Sequence, residues 1–332
     1  MATLLFAYAG LATAALQDPA PPDSQDANVG VTVCLSMHRK AYLLLILTTL
    51  FWGGNAVAGK LAVGHVSPMT LTAGRWLLMC AVMLAIGWPR LVADWRMVRD
   101  NWLYLGVLGF FGFTVFTVAL YLALIYTSAI NVSIEQAGMP MLIFLLNFLF
   151  FRAKANAAQM VGLALSIIGV VLVASHGELS RLLELDLNVG DAIMLVGSIV
   201  YAAYTVALRF KPPIHWQTLM IALSAAGFIT SLPFLFVEAK IGAAFMPDLQ
   251  GWLVLLYVAI FPSILSQIYF VQGVEMIGAN RAGLFINLVP IFGTLLSISL
   301  LGEAFHVYHG IALAMVFGGI WLAETKAATR GV

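Results

Sequence analysis

The stretch AINVSIEQAGMPMLIFLL, residues 129–146, has a counterpart 150 positions further on in ANRAGLFINLVPIFGTLL, residues 279–296. Pro140 falls on Pro290, Ala129 on Ala279, Leu145 on Leu295 and Leu146 on Leu296. Past the stretch, Gly169 falls on Gly319, and Lys60 and Arg209 close the first apolar run of each half at a similar offset. Both stretches lie in apolar runs with a proline in the interior. Such a proline removes one backbone hydrogen bond and clashes with the carbonyl four residues earlier, here that of Gln136 or Ile286. Backbone freed at membrane depth is tolerated only where protein or a water-filled cavity satisfies it. Two unrelated kinks would serve packing alone. Paired interruptions in two halves point instead to a binding site between inverted repeats.

Composition makes lipid the solvent. The chain has 332 residues, of which 62% are apolar and 9% charged, against roughly 25% charged in a soluble domain. The formal charge of +1 leaves no basic field for nucleic acid. Two cysteines, Cys34 and Cys80, make neither a disulfide framework nor a metal cluster. A crossing helix needs about 20 mostly apolar residues, and ten such runs follow: 41–63, 68–88, 102–124, 128–151, 157–174, 188–208, 216–237, 250–273, 279–301 and 306–323. The sequence therefore predicts an all-α membrane protein of ten transmembrane helices. Five spans per half is an odd number, so the second half enters the bilayer from the opposite side.

The expected organisation is a tail at 1–40, five-helix repeats at 41–174 and 188–323, and a C-terminal tail at 324–332. Residues 1–16 resemble a signal peptide without its basic start, and 17–30 read as linker, so the first segment is taken as flexible or interfacial. With the N-terminus inside, twelve Lys and Arg residues fall on the inner face and three (Lys60, Arg181, Lys240) on the outer, with Arg75 inside span 2. That bias places both termini in the cytoplasm.

FWGGNAVAGK (51–60), SPMTLTAGRW (67–76), YLALIYTSAINVSIEQAGMP (121–140) and GANRAGLFINLVPIFGTLLSISLLGE (278–303) together resemble the EamA-type drug/metabolite transporter superfamily. The resemblance covers about residues 41–323. It implies a ten-helix secondary or facilitative transporter of the bacterial inner membrane, working by alternating access. Among its members the sequence is most similar to amino-acid exporters, including those of aromatic residues. No Gly-rich Lys-Ser/Thr phosphate loop is present. The family often ends its fourth span in an acid, as Glu303 ends the ninth, but Ala153 stands at that place here. The resemblance implies no cofactor and no metal.

Ionisable residues within spans are functional candidates by default. Arg75 and Glu135 each lie about seven residues into their spans from the outer side, roughly 10 Å deep. At one level, they would form a buried pair orienting spans 2 and 4, or else receive a substrate carboxylate (Arg75) and a proton or amine (Glu135). Trp52, Asn55, Tyr121, Gln136, Tyr201, Tyr204, Gln267, Tyr269, Gln272 and Asn287 are further substrate-binding candidates, since amides and hydroxyls at depth must bond something. Any one of them alone would equally glue helices together. Pro140, Pro290 and Pro262 are the expected kinks or gates. His306 and His309 sit at the outer start of span 10 without a set of further ligands, and Asn131-Val132-Ser133 matches a glycosylation signal inside the bilayer. Glu275 and Arg281 read as an exposed pair of little weight.

The expected function is export of amino acids or related metabolites. Amphiphilic drugs or nucleoside-like compounds are the alternative cargo, and a receptor or sensor ranks below both. An intramembrane enzyme would need a buried Ser–His set or paired Asp residues, which the spans do not carry. The partners are then a small-molecule substrate, the lipid bilayer and, through Glu135, protons. A monomer would suffice.

Overall fold

The computed structural model describes residues 27–151, 156–177 and 188–325. The two ends, the departure at Ala153 and the loop with Arg181 lie outside these described residues. Ten helices cross or line the molecule: α1 (Ala27–Ala62), α2 (Pro68–Asp100), α3 (Trp102–Tyr126), α4 (Ala129–Phe151), α5 (Ala157–Ala174), α6 (Val189–Phe210), α7 (Trp216–Lys240), α8 (Leu249–Ile277), α9 (Arg281–Leu301) and α10 (Val307–Thr325). Among the described residues nine are long and apolar enough to span, α1 doing so as Arg39–Ala62, and α10 contributes a shorter apolar stretch, Val307–Ala323. No strand occurs among them.

Local chemistry sets the boundaries. Pro68 opens α2 at a position where the missing N–H costs nothing. Asn156 and Gln159 form a reciprocal capping box on α5, and Asn188 and Asp248 cap α6 and α8. One expectation fails here. Residues 89–101, read as a connection, are helical almost throughout, and α2 runs through Pro89 to Asp100. Pro89 lies near the end of an apolar run, where freed backbone can find water instead of lipid.

The halves pack as interchangeable units. Helix α1 lies on α8 and α9, and its counterpart α6 lies on α3 and α4; α2 faces α7, and α5 faces α10. The α5–α10 contact shows the relation at residue level. Gly162 abuts Gly319, Gly169 abuts Ala312, and Ser166 Oγ donates to the carbonyl of Val316 at 3.4 Å. A shift of 150 exchanges the two glycine contacts and carries Ser166 onto Val316, so the pseudo-twofold axis passes between these helices. The interruptions obey the same shift. Helix α4 breaks at Gly138, and α9 breaks at Ile286–Asn287 between Ala279–Phe285 and Leu288–Leu296. A π-helical turn interrupts α3 at Phe110–Val115 and α8 at Ala259–Leu265.

The two faces of the bilayer are closed differently. On the face holding Lys60, residues Ala56, Val57, Ala58 and Ala62 of α1, Leu120, Tyr121, Ala123 and Leu124 of α3, Ala129 and Val132 of α4 and Met194 of α6 form one buried apolar plug. There α9 packs on the first segment of α4, with Gly293 against Ser133. On the opposite face the second segment of α4 (Met139–Phe151) turns to α6 and α5, whereas the first segment of α9 stays with α8 and α1. The molecule is sealed toward Lys60 and divergent toward Arg209.

Candidate substrate site

A cavity of about 180 Å3 lies where the interrupted helices meet. Pro140, Pro262 and Pro290 all border it, as does Gly112, which stands 150 positions before Pro262. The π-turn of α8 shows how a sequence feature becomes a binding wall. Pro262 has no N–H for the carbonyl of Val258. The hydroxyl of Ser263 donates to that carbonyl instead, at 2.6 Å. The same Ser263 oxygen then accepts from Arg75 Nε at 2.7 Å, and the Trp52 indole donates to the carbonyl of Pro262 at 3.1 Å.

Arg75 is the centre of the site. It is 7% exposed, and its Nη1 donates to Asn55 Oδ1 at 3.0 Å and to the Tyr121 hydroxyl at 2.9 Å. Nη2 makes no hydrogen bond within the described residues, and no carboxylate there lies within ion-pair reach of the guanidinium. The result is a buried cation with a fixed orientation and a spare pair of donors at a cavity wall. Next to it, the Trp76 ring lies 4.7 Å from the guanidinium carbon and 4.3 Å from the Phe113 ring. The Trp76 indole N–H and the Thr117 hydroxyl, both on the wall, are also without partners among the described residues. Aromatic rings complete the lining, with Trp52 against Phe270 and Phe116 against Tyr201.

Of the candidates from sequence, Trp52, Asn55, Arg75, Gln136, Tyr201, Gln267 and Asn287 line the cavity. Tyr121 stands behind Arg75, and Tyr204 packs behind Gly112 and beside Tyr201, at 5.4 Å between rings. Tyr269 and Gln272 stand apart from the cavity, and Gln272 is exposed. At about 100° per residue, positions two and five beyond Gln267 turn away from the face that it presents. Arg75 and Glu135 do not pair. Arg75 reaches α1, α3 and α8, while Glu135 is not among the residues lining the cavity that its neighbour Gln136 borders. Glu135 is 1% exposed, and neither of its oxygens has a hydrogen-bond partner among the described residues. Glu275 and Arg281, expected as a pair, form no ion pair.

Trp76, Phe113, Thr117 and Ser263 were not candidates. Ser263 was signalled by its place next to Pro262, and Gly112 by the same 150-residue offset. The π-turns themselves leave no mark in apolar periodicity.

A second polar group closes the Lys60 face. Lys60 Nζ donates to the carbonyls of Leu124 and Thr127 at 2.8 and 2.7 Å, satisfying the end of α3. Glu303 accepts from the N–H groups of Ala129 and Ile130 at 2.8 and 2.9 Å, at the positive end of α4. Beside them Asp191, fully buried, accepts from Thr127 Oγ1 and sits 3.2 Å from His176 Nε2. The backbone N–H of His306 donates to His309 Nδ1, so Nε2 of His309 carries the proton and donates to Asn131 Oδ1 at 3.0 Å. His306 and His309 thus serve a hydrogen-bond network, and Asn131 is buried within it.

Ten membrane helices in two inverted repeats, broken around a shared central cavity, define a transporter architecture. The EamA-like transporter family model matches residues 39–175 and again 188–325, and the chain belongs to that family. Relatives include Uncharacterized transporter YetK of Bacillus subtilis (strain 168), 29% identical with 89% of both chains covered. Uncharacterized transporter YyaM of the same organism is 27% identical over 86% of this chain and 94% of its own. A transporter of Archaeoglobus fulgidus, also named uncharacterized, is 28% identical over 87% and 99%. A solved structure described only as "Crystal structure of protein" shares the fold, with a TM-score of 0.60 at 20% identity over 88% of this chain and 99% of that one.

Proposed function

We propose that this transporter exports amino acids or closely related carboxylate-bearing metabolites across the bacterial inner membrane by alternating access, with both termini cytoplasmic. One observation carries the reading. Among the described residues Arg75 is fixed by three neutral partners, has no counter-ion and makes no hydrogen bond through Nη2 at the cavity. A planar fork held in that way suits a carboxylate. The Trp76, Phe113 and Phe116 rings supply an apolar wall for the rest of the solute, and Gln136 and Asn287 supply amide oxygens for an amine. Arg75 disfavours cationic amphiphiles, which places drug-like cargo second. On the orientation given by charge placement, the sealed Lys60 face is the outer one and the cavity is offered to the cytoplasm. No catalytic role is assigned.

The test is counterflow of a panel of labelled amino acids in proteoliposomes, with and without a pH gradient. Exchange of at least one amino acid, lost in Arg75→Gln, is the expected result. A folded protein that exchanges none of them overturns the substrate class.

A further inference from the structure

Glu135 is a buried carboxyl that the substrate site leaves unused. Thr127, Asn131 and Glu135 recur every four residues and so form one column across the start of α4. Asn131 Nδ2 donates to Thr127 Oγ1 at 3.1 Å and lies 3.4 Å from both oxygens of Asp191. Asp191 in turn meets His176, whose side chain is 35% exposed at the Lys60 face. The column therefore begins at the surface and ends one helical turn past Asn131, on a carboxyl with two bare oxygens. The next residue in the chain, Gln136, already lines the cavity.

The groups around this column come from every neighbouring helix. Asp191 stands on α6, His176 follows α5, and His309 stands on α10 with Tyr308 and His306 behind it. Lys60 of α1 and Glu303 at the end of α9 are engaged by the helix termini, and Tyr121 of α3 by Arg75. Among the described residues no charged side chain pairs with Glu135.

We propose that Glu135 is the proton-carrying carboxyl of the transport cycle, loaded from the Lys60 face through His176 and Asp191 and unloaded into the central cavity beside Gln136. The proposal rests on the transporter reading above. A proton from water binds the His176 imidazole, passes to the Asp191 carboxylate and then, by a water entering beside Asn131 that takes it up and passes it on, to the Glu135 carboxylate. Each donor returns to its starting form. Water in the cavity takes the proton from Glu135, so one proton crosses and no electron moves. A neutral Glu135 is compatible with its full burial, whereas a bare charge there has nothing among the described residues to compensate it. Proton occupancy therefore favours the state sealed toward Lys60, and loss of the proton favours reopening.

The experiment uses the full chain in proteoliposomes containing a pH-reporting dye, with an equimolar mixture of labelled amino acids as the probe. Infrared difference spectra of the same protein between acid and alkaline pH run in parallel. The expected result is proton movement elicited by the amino acids, with the protons moved per amino acid at least tenfold lower in Glu135→Gln. A titrating protonated-carboxyl band in the wild type should vanish in that variant. His176→Gln, at the surface end where folding is little at risk, should slow proton movement at least threefold. Unchanged proton movement in Glu135→Gln overturns the proposal, and so does net amino-acid uptake by the wild type without proton movement. Absence of counterflow in folded wild type instead removes the amino-acid reading, and the infrared band then decides the proton site alone: its presence supports Glu135, and its absence overturns it.

Discussion

Arg75 is a buried cation at the wall of the central cavity in a chain with few charges. Its three partners sit on α1, α3 and α8, so the guanidinium also ties both repeats together. A hydrogen bond to a charged group contributes about 1.5–3 kcal/mol, which is roughly ten- to a hundredfold in affinity. Arg75→Gln is therefore expected to weaken amino-acid exchange by about that factor in a counterflow assay. Arg75→Lys keeps the charge but loses the fork, and it should recover only part of the activity. Equal activity of all three proteins would show that the carboxylate is held elsewhere. The place of Arg75 at a buried cavity was legible in the sequence because a charge inside a span is rare. Its partners were legible only as residue types. Glu135 and Gln136 were both suggested by their depth, and of the two Gln136 borders the cavity. Rotation explains Gln272, whose polar character at depth in the sequence becomes an exposed face in the fold.

At the scale of elements, the interruptions matter more than the helices. The ten spans, their order and the broken α4 and α9 follow from apolar runs and matched prolines. The π-turns of α3 and α8 do not, because they depend on which carbonyls pair with which N–H groups, and apolar residues tolerate either register. Such turns often mark functional sites. Replacing Pro262 by Ala would restore an N–H able to reach the Val258 carbonyl, competing with Ser263 and loosening the hold on Arg75. The expected outcome is unchanged or higher thermal stability together with about tenfold weaker exchange. A variant that loses stability and transport in parallel would argue for a purely structural bend. The α5–α10 contact makes the opposite prediction. A Cβ added at Gly162 would collide with the carbonyl of Gly319. Overpacking costs about 1–3 kcal/mol, so Gly162→Ala should lower the melting temperature in detergent by several degrees, as should Gly319→Ala against Gly162. If either is tolerated, these helices separate more readily than their packing implies.

For the whole molecule, the inverted repeat relates the state seen here to the one not seen. Lys60 ends α1 and satisfies the carbonyls of Leu124 and Thr127 at the end of α3. Its counterpart Arg209 ends α6 but lies over the Phe151 ring at 4.4 Å and donates to Asn147 Oδ1 at 3.3 Å. Under alternating access each half takes up the arrangement of the other. A shift of 150 carries Leu124 to Val274 and Thr127 to Ile277, so in the opposite state Arg209 should satisfy those carbonyls at the end of α8. The second lock has no such twin, because Glu303 corresponds to Ala153. In the proposed cycle one face is closed by two charged contacts and the other by one, so the state sealed toward Lys60 is expected to be the resting one. Spin labels at the exposed Phe150 of α4 and Leu284 of α9 would report the difference. Without ligand the distance distribution should hold one long component. Lys60→Gln should add a short component, raising its share about tenfold or more by loss of charged hydrogen bonds, and Arg209→Gln should suppress it. Identical distributions in all three proteins would mean that the two cations do not govern the two faces.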